Sequence, residues 1–225
     1  MTGTKTPGAM TREMIMVHTA FRREFGLMPD LVRGVAEGDW RRAEVVADHI
    51  GMIGGILHHH HSGEDRVLWP LLLERCPSEL APLVRTMEEH HERVADLGGL
   101  LGKTIDAWRS EADVPARDAA VGVLAQLLPL LEEHLSTEEK RVMPLVEQHI
   151  TVDEWDAMVA GAATTMQPEM LPLALGMMMY EGEPAAVQDA LGNIPAEVRD
   201  VVAEQAPAAY AAYAQLVYGT ATPRL

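Results

Sequence analysis

Part of this 225-residue chain is written twice, and that repetition limits the fold more than any other feature. The segment HHSGEDRVLWPLL from residue 60 aligns with HLSTEEKRVMPLV from residue 134 at an offset of 74, so that His, Ser, Glu, Pro and Leu coincide and Asp65 faces Glu139. Upstream, MIMVHTAF from Met14 aligns with MEEHHERV from Met87 at an offset of 73, pairing His18 with His91. The intervals agree as well: 42 residues from His18 to His60, and 43 from His91 to His134. Matching residue types, spacing and intervals together read as a duplicated helix hairpin.

The hairpins are read as helical because apolar residues recur every three or four positions. Met14, Val17, Phe21, Phe25 and Met28 mark one face of a first helix from about Ala9 to Val35. Asp39 is placed to cap a second before Trp40, whose stripe of Val46, Ile50, Ile53, Leu57, Val67 and Leu71 runs on to Glu74. Ser78 is expected to cap a third, striped by Leu83, Met87, Val94, Leu97 and Leu101; a polar break around Ser110 to Arg117 then precedes a fourth, ending near Ile150. Only two Phe, four Trp and four Tyr leave Leu, Ala, Val and Met to fill the core, a helix-forming palette. The predicted fold is all-α: an antiparallel four-helix bundle over residues 9–150, then a C-terminal extension of short helices over 151–225. Thr151 and Glu154 form a capping box that opens the extension, and Pro168, Pro172, Pro184, Pro195 and Pro207 punctuate it.

Charge and composition narrow the function. With 18 Lys and Arg against 34 Asp and Glu, a net charge of −16 repels phosphate backbones, so nucleic acid and anionic membrane are poor partners. The longest apolar run, LPLALGMMMY, is ten residues, well short of the roughly 18 that a spanning helix needs. Met1–Met10 lacks the apolar core of a secretory signal, and the sole cysteine, Cys76, permits no intrachain disulfide. A cytoplasmic location is expected, with Cys76 as a buried thiol.

All ten histidines fall in the first 150 residues. His60 and Glu64, like His134 and Glu138, are four apart and lie one turn above the other on the apolar face. Buried there, an unpaired charge costs several kcal/mol, and helix bundles compensate such sets with a pair of metal ions. Imidazole nitrogen with carboxylate oxygen suits iron, while manganese and zinc share the ligand type. Four successive histidines, His58 to His61, sweep about 300° of the helix, so not all face inward. His58 and His59 are expected on the flank; His61 is open, since with Asp65 it offers a second, rotated copy of the motif. On the third helix, a stripe of 84, 87, 91, 94, 98 and 101 admits His91, and one of 83, 87, 90, 94, 97 and 101 admits His90. The hairpin repeat selects His91 and leaves His90 for the flank or an outer hydrogen bond. His49, eleven residues before His60, is either a packed core histidine or a proton relay.

The lone His18, HHxxED ahead of LWPLL, EEHHE and HLSTEEKRVMP together resemble the hemerythrin-like, HHE cation-binding family over about residues 10 to 150. The resemblance implies a bundle holding a non-haem di-iron centre, its two iron ions ligated by His18, His60, Glu64, His91, His134 and Glu138 and bridged by the two glutamates and an oxo, hydroxo or water ligand. Oxygen-carrying members place two histidines one turn apart on the third helix and end with His-x-x-x-x-Asp. Here one imidazole is missing by that comparison. The pattern is more similar to a bacterial and mycobacterial subgroup, H, HxxxE, H, HxxxE, which implies peroxide or nitric oxide chemistry rather than oxygen transport.

Fewer nitrogens leave open coordination positions, as a catalytic metal needs. The expected function is therefore a di-iron oxidoreductase, catalase- or peroxidase-like, acting on hydrogen peroxide or nitric oxide. The alternatives are a non-enzymatic oxygen or nitric oxide binding, sensing or storage protein, and a bundle merely stapled by metal. In the extension, Met177, Met178, Met179 and Tyr180 could cover the pocket as a lid, although methionine runs equally fill core.

Overall fold

Two prolines decide how the second and fourth rods of the bundle run. A helical proline has no N–H to donate, and its ring presses on the carbonyl four residues earlier. Pro70 and Pro144 occupy matching places in the repeat, and each follows one widened, π-helical turn, Glu64–Leu68 and Glu138–Val142. In the computed structural model, which describes residues 11–75, 77–164 and 167–225, α2 (Trp40–Gly63) passes through the first of these turns into α3 (Trp69–Arg75). The extra residue rotates everything after it. Val67, expected inside, is 36% exposed, while Leu68 is 1% exposed and Leu72 is buried. The stripe predicted through Val67 and Leu71 thus moves on by one residue. The same shift brings Val142, Met143 and Val146 into the core of the second hairpin.

The other rods are α1 (Arg12–Arg33), α4 (Pro77–Glu111), and α5 (Val114–Thr137) continued by its widened turn into α6 (Met143–His149). Asp39 and Asp113 cap α2 and α5, accepting from Arg42 N at 3.1 Å and Ala116 N at 2.6 Å. Ser78 does not cap the third rod, because α4 already starts at Pro77. Cys76 and Met1–Met10 lie outside the described residues. The core between the rods holds Phe25, Met28, Ile53, Trp108, Leu124 and Leu131. By length and composition alone the helix spanning Val114–His149 could cross a membrane; here Leu124, Leu127, Leu131 and Leu135 spend its apolar side on the bundle core.

The extension is helical throughout its regular elements, with no strand among the described residues. Thr151 and Glu154 make the predicted box: Thr151 N donates to Glu154 Oε2 at 3.1 Å and Glu154 N to Thr151 Oγ1 at 3.4 Å, opening α7 (Val152–Thr164). Then come α8 (Leu171–Met179), α9 (Pro184–Gly192) and α10 (Ala196–Tyr218). Pro207, expected to end a short segment, instead lies inside the 23-residue α10. α8 and α10 cross so tightly that a Cβ on Gly176 would collide with the Ala206 carbonyl.

The extension docks on the first hairpin through a buried polar set. Arg23 Nη2 donates to the Met177 carbonyl at 2.7 Å, Tyr210 donates to Glu24 Oε1 at 2.7 Å, and Tyr218 donates to Glu24 Oε2. His49 has the Tyr213 hydroxyl 3.0 Å from Nδ1 and the Tyr218 hydroxyl 3.0 Å from Nε2. Burial, with Arg42 adding to it against Glu24, lowers the His49 pKa to about 4 and keeps the ring neutral. Of the two readings of His49, this one is the packed and fully hydrogen-bonded histidine.

Candidate metal centre

The widened turns begin at Glu64 and Glu138 and face each other across the bundle, where π-helical turns commonly mark functional positions. Around them two clusters form. In one, ligand atoms of His18, His60, Glu64 and Glu138 all lie within 4.8 Å of one another; in the other, so do those of His61, Glu64, His91 and His134. Glu64 belongs to both: its Oε1 is 3.0 Å from His60 Nε2, and its Oε2 is 3.3 Å from His91 Nε2. Glu138 Oε2 spans the same divide from the opposite side, 3.4 Å from His18 Nε2 and 3.6 Å from His134 Nε2.

Buried polar atoms are ordinarily hydrogen-bonded. Here both oxygens of Glu64 and Glu138 and the Nε2 atoms of His18, His60, His61, His91 and His134 lack a partner. Lone pairs converging with no donor among them describe a space shaped for cations, and the donor set fits a transition metal.

The protein fixes two of these rings from behind. His18 Nδ1 is 2.9 Å from Glu139, and His91 Nδ1 is 2.8 Å from Asp65. An ionised carboxylate only accepts, so Nδ1–H donates outward and the Nε2 lone pair is left aimed at the centre. The arrangement is crossed: the carboxylate of each hairpin grips the lone histidine of the other. Glu139 is held in turn by Arg22 at 2.7 Å, whereas Asp65 accepts from Trp69 Nε1 at 3.0 Å.

Burial lowers the pKa of His60 and His134 to about 3 and that of His61 well below the usual histidine range, so these rings stay neutral and able to ligate. Burial works in the same direction on His18, but the adjacent carboxylates of Glu138 and Glu139 outweigh that and raise it. Burial and the facing Glu138 push Glu64 well up. Glu138, which burial alone would raise, is brought to about 2 by the neighbouring His18 and His134. A proton taken up by Glu64 in this setting competes directly with a cation.

Each predicted ligand is thus placed. His18, His60, Glu64, His91, His134 and Glu138 converge, and His61 joins them instead of pairing with Asp65; its ring stacks on His91 at 4.1 Å. With His61 from α2, the second cluster has three imidazoles against two in the first. His90 is buried with no partner for Nδ1, outside both clusters. His58 is exposed and His59 half-buried. Sequence reasoning offered Asp65 only as a partner for His61 and gave Glu139 no role, although their alignment in the repeat is the signal that they act alike. Of the residues expected as a lid, Met177 and Met178, with Phe21 and His60, line a cavity of about 200 Å³, while the Tyr180 ring lies 5.3 Å from that of Tyr210.

A helical bundle that gathers histidines and glutamates on two facing turns is a cation-binding protein by construction. The chain belongs to the hemerythrin HHE cation-binding domain family, whose model matches residues 9–153. No curated protein and no solved structure matches it.

Proposed function

We propose that the centre holds two iron ions and processes hydrogen peroxide as a catalase- or peroxidase-like oxidoreductase of the cytoplasm, with nitric oxide as the other small ligand it would take. The supporting observation is the first cluster. His18 and His60 are its only imidazoles, and His60 and Glu64 line a pocket of about 470 Å³ that also reaches Met14, Gly63 and Trp155. Such a ligand set leaves room for a small molecule beside the metal. When bound, iron supplies the Fe(III)/Fe(II) couple that peroxide disproportionation or reduction requires. The chain's own residues do the rest. Glu64 and Glu138 hold the two positions together, Glu139 and Asp65 orient His18 and His91, and Phe21, Met177 and Met178 keep the far side of His60 apolar.

Element analysis and an oxygen electrode test this reading: about two irons per chain are expected, with oxygen released from peroxide, or peroxide consumed with an added reductant, by the iron-loaded protein and not by Glu64→Ala. One metal per chain, or iron-loaded protein inert to peroxide, overturns it. A second reading, reversible binding of oxygen or nitric oxide, is favoured by the third imidazole that His61 adds to the second cluster. Visible bands that appear in air after reduction with dithionite and vanish again under vacuum would select it.

A further inference from the structure

A groove of about 1180 Å³ runs between α2 and α4 from His61 and His91 at one end to Asp48 and Arg109 at the other. Five glycines stand along it, Gly51 and Gly54 from α2 and Gly98, Gly99 and Gly102 from α4. Glycine inside a helix usually lets two backbones approach, in return for about 0.5–1 kcal/mol of helix stability per residue. These five do not serve that purpose, because a Cβ added at any of them would meet nothing within 4 Å. The groove is held open rather than closed up, and its floor of Leu57, Val94, Leu101, Ile105 and Leu127 is apolar.

Two further observations point to an occupant. His61 and His91, each 5% exposed and both members of the second ligand cluster, line its inner end, so whatever fills the groove reaches that cluster. The rim is acidic: Asp48, Asp65, Glu88, Glu92 and Asp106 stand against Arg109, which is itself paired with Asp48. Phosphorylated nicotinamides, anionic thiols and fatty acids are repelled by such a rim. The volume far exceeds what peroxide needs, since a water molecule takes about 30 Å³.

We propose that this groove binds the reducing co-substrate of the centre, an uncharged hydroquinone carrying an apolar tail, with its ring towards His61 and His91. The proposal rests on the peroxide reading above and names the electron donor for it. The reaction balances: hydroquinone and hydrogen peroxide give quinone and two waters. Two O–H bonds of the hydroquinone and the O–O bond break, two O–H bonds of water form, and two electrons and two protons pass from donor to peroxide.

The test is calorimetric titration of iron-loaded protein, without oxygen or peroxide, using decyl-1,4-benzohydroquinone and the same molecule ending in a sulfonate. Saturable binding of the neutral probe is expected, with the sulfonate about tenfold weaker or more. Gly51→Leu and Gly98→Leu fill the groove, and each side chain starts in open space on a helix that gains propensity, so the fold is not threatened. Both variants are expected to keep their iron and their oxygen release from peroxide, and to lose binding about tenfold or more. Absence of binding to the parent protein, equal binding of the sulfonate, or binding untouched by either leucine overturns the proposal. So does a dimer in sedimentation that Gly98→Leu makes monomeric, which would assign the groove to a second copy of the chain. If the neutral probe binds as expected but peroxide persists with and without it, the peroxide reading has failed while the groove remains a binding site.

Discussion

The two hairpins of the bundle carry the same ligands on the same widened turns, yet one helical turn away from them they are different proteins. His18 corresponds to His91, His60 to His134, Glu64 to Glu138, Asp65 to Glu139 and Pro70 to Pro144. Against this, His61 of the first hairpin corresponds to Leu135 of the second, and the buried pair Glu24 and His49 corresponds to Leu97 and Val123. The first difference puts three imidazoles beside one metal position and two beside the other. The second gives the first hairpin a polar face on which the tyrosines of α10 dock, while the second hairpin keeps an apolar one. Duplication built a symmetric cage; departures from it made the two sides unequal in chemistry and in what covers them.

The shared part of the comparison is broken most completely at Glu64, the one residue in both clusters. Glu64→Ala is expected to take metal content from about two ions per chain to nearly none, because two cations then face each other with one carboxylate between them. Element analysis after iron-replete expression reads this out. Retention of one full equivalent would show that Glu138 alone holds a position and that the cage is less symmetric than drawn.

Making the hairpins alike at the metal gives the next largest effect. His61→Leu installs the residue of the second hairpin and is expected to weaken the three-imidazole position by about tenfold or more, leaving about one tightly held ion. His90→Ala, on α4, removes a side chain outside both clusters and is expected to leave both ions. Iron lost on removing His90 and kept on removing His91 would put the repeat out of register by one residue.

How far the sequence reveals this follows from the same comparison. His60, Glu64, His134 and Glu138 are legible because an i, i+4 pair on an apolar face can be seen in a string of letters. His91 is legible because it has a partner at His18. His61 is not assignable by that route, since Leu135 answers it, and neither can the shifted stripe be read from a regular 3.6-residue period. Pro70 and Pro144 were the available signs of it: an inward stripe that meets a proline has to change its turn or end. The network of Glu24, His49 and Tyr218 joins residues 169 and 194 positions apart, which no local pattern carries.

The crossed carboxylates test whether the hairpins are equal in their outer contacts. Asp65→Asn and Glu139→Gln each replace an acceptor that orients an imidazole, and each is expected to cost about 10–100-fold in affinity at its own position. Competition with a coloured chelator measures it. Glu139 also accepts from Arg22, which Asp65 lacks, so Glu139→Gln takes one of the two carboxylates on Arg22 and leaves it with Glu132 alone, and is expected to be the more damaging of the two. Equal losses would mean that Arg22 contributes nothing to the centre.

The smallest expected effect lies farthest from the metal, at His49, and its sign depends on pH. Folding lowers the His49 pKa from 6.5 to about 4, so between those values the unfolded chain binds the proton and the folded one does not. The stabilising effect is therefore fully present above about pH 6.5 and is lost as pH falls towards 4, a loss of about 3 kcal/mol from this group. His49→Val, the residue the second hairpin carries, removes that titration but takes the ring from the Tyr213 hydroxyl and leaves Tyr218 only its bond to Glu24, which costs about 1–3 kcal/mol at neutral pH. The two proteins are then expected to differ by that amount in urea unfolding at pH 7.5 and to converge by pH 4.5. Both are measured in excess chelator, so that His60 and His134, with pKa values of about 3, contribute the same acid slope to each. A gap that widens as the pH falls would mean that His49 is charged in the folded protein, and that the tyrosines of α10 grip a cation rather than a neutral ring.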